Sequence, residues 1–449
     1  MMNTPICDFA AAYQSSGKLR FHMPGHKGVP VIGPEGLDIT EIDGADVLYD
    51  AKGIIRESER NASGLFGTQD TLYSAEGSSL CIRAMLYLAV LYAKMNGRRP
   101  LILAGRNAHK VFITGAALVD AEVSWLFSES VGDTLSCRIS ADALEKRLIA
   151  EKPVAVYITT PDYLGAMSDI HAIAEVCHRR GVLLLADNAH GAYTHFLSPS
   201  LHPMDLGADL CCDSAHKTLP VLTGGAYLHI SRHAPAVLAQ HAQRALALFA
   251  STSPSYLILQ SLDAANAYLA GDFPAQLRQT IQRADRLKAV LSTAGFHLTG
   301  DEPLKLTIAA KATGYTGTEL ADLLAEQGMV CEFSDPDFLV LMFTPQTTPE
   351  ALDALQQALL AIPQRPAICI QPPLLANPVQ AMSAREALFA PQECLPVQHA
   401  LGRVLASATV NCPPAIPIVA CGEKIDETAL ACFAYYGIDE VCVVTEAAE

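Results

Sequence analysis

Two hydrophobic periods alternate along this chain. Short, nearly continuous apolar runs at residues 100–104, 154–159, 181–187, 208–212 and 226–230 have the length of buried strands. Between them, apolar residues recur every three to four positions, which predicts helices over 54–66, 80–95, up to Val119, and over 170–180. Strands alternating with helices predict an α/β fold: a mostly parallel central sheet covered by helices, with sites at the carboxyl ends of its strands. After Leu246 the pattern becomes largely helical (256–291). A smaller α+β unit follows, with strands at 304–309, 329–333 and 338–343 and helices at 318–327 and 349–362. From residue 363 the chain is proline-rich at first and carries Cys412-Pro-Pro-Ala-Ile-Pro-Ile-Val-Ala-Cys-Gly-Glu423. The expected division is an N-terminal arm with a large domain (1–295), a small α+β domain (296–365) and a C-terminal segment (366–449).

Composition narrows the function classes. A chain of 449 residues, half of them apolar, has room for a large core and about two or three domains. A formal net charge of -16, with no run of Lys and Arg, argues against nucleic acid as a partner but not against a small cationic substrate. None of the thirteen cysteines stands in a C-x-x-C pair, so neither a zinc site nor a disulfide framework is expected, and no metal is assigned. The N-terminus lacks a basic-then-apolar leader pattern, and the longest apolar helical stretch, 84–93, is too short to cross a bilayer. These features predict a soluble, reduced, cytoplasmic enzyme with no nucleic-acid or membrane partner.

The chemistry centres on Asp213-Ser-Ala-His-Lys217-Thr-Leu, which follows the run at 208–212 and precedes Thr223-Gly-Gly225. Lys217 is expected on a loop leaving a strand. Asp187 closes the run at 181–187 and is followed by Asn188-Ala-His190-Gly191. A lysine and an acid at the ends of two such strands are what a pyridoxal 5'-phosphate site requires: an amine to condense with the aldehyde, and a carboxylate to keep the pyridine nitrogen protonated. Alone, either residue would be read as a solvated surface charge. Gly77-Ser78-Ser79 lies between a strand and the helix expected from Leu80, where free N–H groups favour a phosphate or a serine serves as an ordinary cap. His22-Met-Pro-Gly-His-Lys-Gly28 is either an anion or substrate loop or a structural turn.

Taken together, HMPGHKG, RNAHK, TTPDYLG, DNAHGA and SAHKTL, in this order, resemble the ornithine/lysine/arginine decarboxylases, fold-type I pyridoxal phosphate enzymes. The resemblance runs along nearly the whole chain and is strongest to short members without an N-terminal receiver-like domain. It implies a fold-type I transferase-like architecture, with Lys217 as the Schiff-base lysine and Asp187 as partner of the pyridine nitrogen. It also implies that His109 stacks on the ring, that Ser78, Ser79, Ser214 and His216 surround the phosphate, and that His190 lies close to the cofactor. Two departures stand out: DNAHG where an acid often follows the aspartate, and DSAHK where Ser-Thr-His-Lys is commoner.

The implied reaction is decarboxylation of a basic amino acid, arginine slightly ahead of lysine or ornithine, to an amine that feeds polyamine biosynthesis. Lys217, or His216 beside it, would reprotonate the carbon left behind. Alternatives are transamination or aldol-type cleavage on the same fold, or a silent regulatory binding protein. Against the silent protein stands the intact pair Lys217 and Asp187. Against transamination stands the absence of arginine between Arg286 and Arg365, since a carboxylate grip from the small domain would stabilise the ground state of a decarboxylation. The distal cation of such a substrate requires a carboxylate, and Glu423, Asp46 and Asp162 are the candidates. The resemblance further implies a homodimer or larger oligomer, with Thr252-Ser-Pro-Ser-Tyr256 approaching the partner's cofactor.

Overall fold

The computed structural model describes residues 2–128, 137–411 and 416–445. Its principal sheet is built from seven strands: β1 (Asp70–Ser74), β2 (Leu101–Gly105), β3 (Glu122–Leu126), β4 (Ala155–Thr159), β5 (Leu183–Asp187), β6 (Leu210–Asp213) and β7 (Ala226–Ile230), in the order β1-β7-β6-β5-β4-β2-β3. β5 pairs parallel with β6 and β2 with β3, while β7 runs antiparallel to both β6 and β1. The architecture is therefore α/β with a mostly parallel central sheet.

The chain folds into two compact units, Met1–Arg99 with Val154–Val156 and Ile170–Gln276, and Pro100–Pro153 with Tyr157–Asp169 and Leu277–Glu449. These units are more interleaved in sequence than a division at 295 and 365.

In the first unit, helix Gly77–Met95 buries Leu80, Ala84, Leu88 and Ala93 among others. At 19 residues it is long and apolar enough to cross a membrane, contrary to the short stretch expected, but its burial is that of a core helix. Helix Ile54–Leu65 buries Ile55, Ser58, Glu59 and Ala62, the spacing of one face. Its first turn is held by Asp46, whose Oδ2 accepts the backbone N–H groups of Gly53, Ile55 and Arg56 at 2.7, 3.1 and 3.3 Å. Residues 5–15, read from sequence as part of an N-terminal arm, form a helix that buries Ile6 and Ala10.

The second unit contains an antiparallel sheet of β8 (Leu298–Thr299), β9 (Lys305–Ala309), β10 (Phe333–Ser334) and β11 (Phe338–Met342), ordered β10-β11-β9-β8. Leu306, Ile308, Leu320, Leu339 and Leu355 form its core with helices Gly317–Ala325 and Pro349–Ala361. The C-terminal segment has its own core, including Leu405, Val419, Phe433 and Val443. It carries the antiparallel pairs β12 (Gln392–Pro396) with β15 (Glu440–Val444) and β13 (Thr409–Asn411) with β14 (Pro417–Ala420). Cys394 and Cys442 face each other in the β12–β15 register and are disulfide-bonded. That bond corrects the expectation of unpaired thiols, because a sequence separation of 48 hides a cross-strand neighbour.

Candidate functional site

Lys217 sits one turn beyond the carboxyl end of β6, in the short helix Ala215–Thr218 rather than on an open loop. Its backbone N–H donates to Ser214 O at 3.0 Å, and its Nζ lies 3.1 Å from His190 Nε2. His190 is buried and follows the end of β5 by three residues. Asp187, the last residue of β5, is 2% exposed, and its Oδ1 accepts the N–H of Ala189 at 3.2 Å. Asp187 pairs in register with Cys212, so the acid and the lysine leave adjacent parallel strands at the same end. Such a site lies where strand ends in an open α/β sheet collect ligands.

A buried network ties these two strand ends together. Asn188 Nδ2 donates to Asp213 Oδ1 at 2.7 Å, and Asp213 Oδ2 lies 3.0 Å from both His202 Nε2 and His229 Nε2. Burial alone would raise the Asp213 carboxyl, but the two imidazoles outweigh it and hold the group well below the usual carboxylate range. Burial pushes His229 down, against the opposing pull of the Asp213 carboxylate. Sequence reading gave no role to Asp213 or its histidines, since their positions, 202, 213 and 229, form no motif.

A third component is the start of helix Gly77–Met95, which begins at Gly77, not at Leu80 as expected, and so places Ser78 and Ser79 in its first turn. Its N-cap residue, Glu76, supplies no side-chain cap. Ser214 Oγ donates to Ser78 Oγ at 2.8 Å, and His216 Nδ1 lies 3.0 Å from Gly225 O. Gly224 O accepts the N–H of Gly77 at 2.7 Å; at φ +101° a Cβ on Gly224 would come within 2.9 Å of Ala75 O, so no side chain fits there. An uncapped helix N-terminus flanked by two hydroxyls and an imidazole is an anion cradle. Together with a lysine amine and a buried carboxylate, this donor set fits pyridoxal 5'-phosphate.

The remaining sequence candidates have other surroundings. His109 caps helix Lys110–Val119 in the second unit, its Nδ1 accepting Val111 N–H at 3.3 Å. Glu423 is 1% exposed and forms a two-point ion pair with Arg106, Nη1 to Oε1 at 2.6 Å and Nη2 to Oε2 at 2.7 Å, while Ala420 N–H donates to Oε2 at 2.7 Å. Asp46 accepts Val47 and Lys52 N–H on Oδ1, in addition to its three helix donors. The carboxylates of Glu423 and Asp46, the expected readers of a distal cation, are thus both engaged within the chain. Asp162 is buried, and its Oδ1 accepts Ala166 N–H at 2.7 Å. Of the proline-bounded string before Glu423, residues 412–415 lie outside the described residues.

Comparison with known proteins identifies the family. Residues 4–299 match the family model "Orn/Lys/Arg decarboxylase, major domain". An arginine decarboxylase of Halalkalibacterium halodurans is 31% identical over 95% of this chain and 92% of its own length. Among solved structures, the constitutive lysine decarboxylase of E. coli matches 99% of this chain and 82% of its own with a TM-score of 0.78 at 18% identity. Lysine decarboxylase A of Pseudomonas aeruginosa matches 97% of this chain and 76% of its own with a TM-score of 0.79 at 19% identity, a likeness of fold. The chain thus belongs to the Orn/Lys/Arg decarboxylase family of pyridoxal-phosphate-dependent, fold-type I enzymes and is an amino-acid decarboxylase.

Proposed function

We propose that this chain decarboxylates arginine to agmatine with pyridoxal 5'-phosphate attached at Lys217. The observation that carries this reading is the contact of Lys217 with His190 beside the strand end that bears Asp187. When bound, the cofactor supplies an electron sink for the pair of electrons left by departing carbon dioxide. The buried carboxylate of Asp187 would keep a proton on the ring nitrogen, and Ser78, Ser79, Ser214 and His216 would hold the phosphate. Lys217 would hold the cofactor and supply the proton for the α-carbon, with His190 in contact with its amine and His216 next to it in sequence. By the family resemblance, His109 would be the residue that stacks on the ring. Arginine is favoured because relatives at 31% and 30% identity over most of the chain are named arginine decarboxylase.

The same reading includes a homodimer working in the cytoplasm and supplying a polyamine precursor. Support for the dimer comes from the N-terminal arm, where Leu19, Phe21, Met23, Val29, Val31 and Ile32 are all more than 60% exposed. An apolar stretch of that extent is the kind a second chain covers. Mass spectrometry of products from arginine, lysine and ornithine tests the substrate: agmatine alone is expected, and cadaverine or putrescine at equal rates would overturn the arginine assignment. Light scattering of the purified protein tests the dimer, which fails on a fully active monomer.

A further inference from the structure

At the opposite end of β6 from Lys217, three side chains from separate elements converge. His178 lies in the last turn of helix Ile170–Arg179, Asp209 directly precedes β6, and His233 follows β7. One potential ligand atom from each lies within 4.8 Å of the other two. His178 Nε2 is 3.2 Å from Asp209 Oδ2, and the two imidazoles face each other edge-on with centroids 5.4 Å apart. They line a cavity of about 300 Å³ together with Gly207. We propose that His178, Asp209 and His233 form a binding site for a divalent transition metal, Zn²⁺ by ligand type, separate from the catalytic site.

The donor set is what distinguishes this cluster from a surface ion pair. Two imidazoles and one carboxylate are borderline ligands suited to Zn²⁺, and three protein ligands leave a coordination position for water or a small anion. Tetrahedral zinc with bonds of about 2.0–2.2 Å needs donors roughly 3.3–3.6 Å apart. The His178–Asp209 distance of 3.2 Å is already close to that range, and the exposed His233, whose Nδ1 lies 2.7 Å from Ser231 Oγ, would turn toward the pair to complete the set. Asp209 is the fixed point: it is 3% exposed, and its Oδ2 accepts Leu184 N–H at 2.8 Å. Gly207, which also lines the cavity, is held to glycine by its φ of +107° and by Ala174 Cβ, which a Cβ there would approach to 2.9 Å.

A second group of ligand-type residues, His202, Cys211 and Asp213, shows what this site is not. All three are fully buried, the imidazoles of His202 and His229 already bond to the Asp213 carboxylate, and burial holds the Cys211 thiol protonated. That cluster is a completed hydrogen-bond network without an entry path, whereas His178 and His233 are open to solvent.

The test is titration of tag-free holoenzyme, freed of metal by chelator and desalting, with ZnCl₂ by calorimetry and with CoCl₂ by visible absorption. One equivalent per chain is expected, with a cobalt spectrum of nitrogen and oxygen ligands lacking the sulfur charge-transfer band that a cysteine site would show. His178→Ala and His233→Ala should each weaken binding at least about tenfold, and the double variant should abolish it. Circular dichroism and the decarboxylation rate in metal-free buffer should match the parent, which separates loss of a ligand from misfolding. Undiminished binding in the double variant, a sulfur–cobalt band, or no saturable binding to the parent would each overturn the site.

Discussion

Lys217 Nζ and His190 Nε2 lie 3.1 Å apart, so the amine that would carry the cofactor has an imidazole as a direct partner. At hydrogen-bond distance, an imidazole is able to exchange a proton with that amine.

The first prediction follows from that contact. His190→Gln retains a hydrogen-bonding group but cannot titrate, so kcat should fall about a hundredfold while the visible absorbance of bound cofactor persists. The decisive readout is the pH dependence of kcat, which should lose one limb in the variant. An unaltered pH profile would reduce His190 to a packing residue. Lys217→Ala provides the control and should abolish the absorbance itself.

Much of this was legible in the sequence because buried strands announce themselves by continuous apolar runs. The observed β5, Leu183–Asp187, and β7, Ala226–Ile230, fall within or on the runs at 181–187 and 226–230. Weaker patterns were missed: β3 has only Leu126 fully buried, and helix Ala141–Glu151 only Leu144 and Leu148. Local propensity misplaced the start of helix Gly77–Met95, since a glycine at positive φ opening a helix is a tertiary choice. Long-range partners were out of reach altogether. Arg106 and Glu423 both stand in strings that sequence reading singled out, yet nothing local reveals that they pair across 317 positions.

That pairing reverses the meaning of a substitution at Glu423. With Arg106 2% and Glu423 1% exposed, Glu423→Gln leaves a buried guanidinium without a counter-charge. Breaking a buried pair in this way costs about 3–5 kcal/mol, so Tm should drop by more than about 5 °C while KM for arginine stays within about twofold. Replacing both partners, Arg106→Met with Glu423→Leu, should recover part of the loss. A tenfold rise in KM at unchanged Tm would return Glu423 to the substrate.

Asp335 predicts a pH dependence. Burial pushes its carboxyl up to about 7, against the opposing hydrogen bonds from Phe338 and Asp337 N–H, and its Oδ2 has no partner among the described residues. A folded-state pKa raised above the unfolded value means that stability is fully present below about pH 4 and is lost as pH rises through about 7. Asp335→Asn keeps the acceptor on Oδ1 and removes the titration. The Tm of the variant minus that of the parent should therefore be near zero at pH 4, grow through pH 7 and level off by pH 8. A difference that does not change with pH would contradict the shift.

Asp213 joins stability to catalysis. Its Oδ1 holds Asn188, the neighbour of Asp187, and its backbone leads into Ser214 and the turn bearing Lys217. In Asp213→Asn an amide N–H₂ must face either Asn188 Nδ2 or the two imidazoles, and each of these is a donor. The expected result is a lower Tm, since a buried group loses its partner, together with cofactor affinity weakened at least about tenfold and a reduced kcat. KM for the substrate should change little, because Asp213 is fully buried and cannot touch it. Dissociation of the cofactor, followed by absorbance at a temperature where the variant remains folded, separates positioning from mere scaffolding. If Tm falls while cofactor affinity and kcat of the folded fraction match the parent, the network supports the sheet but does not align Asp187 and Lys217.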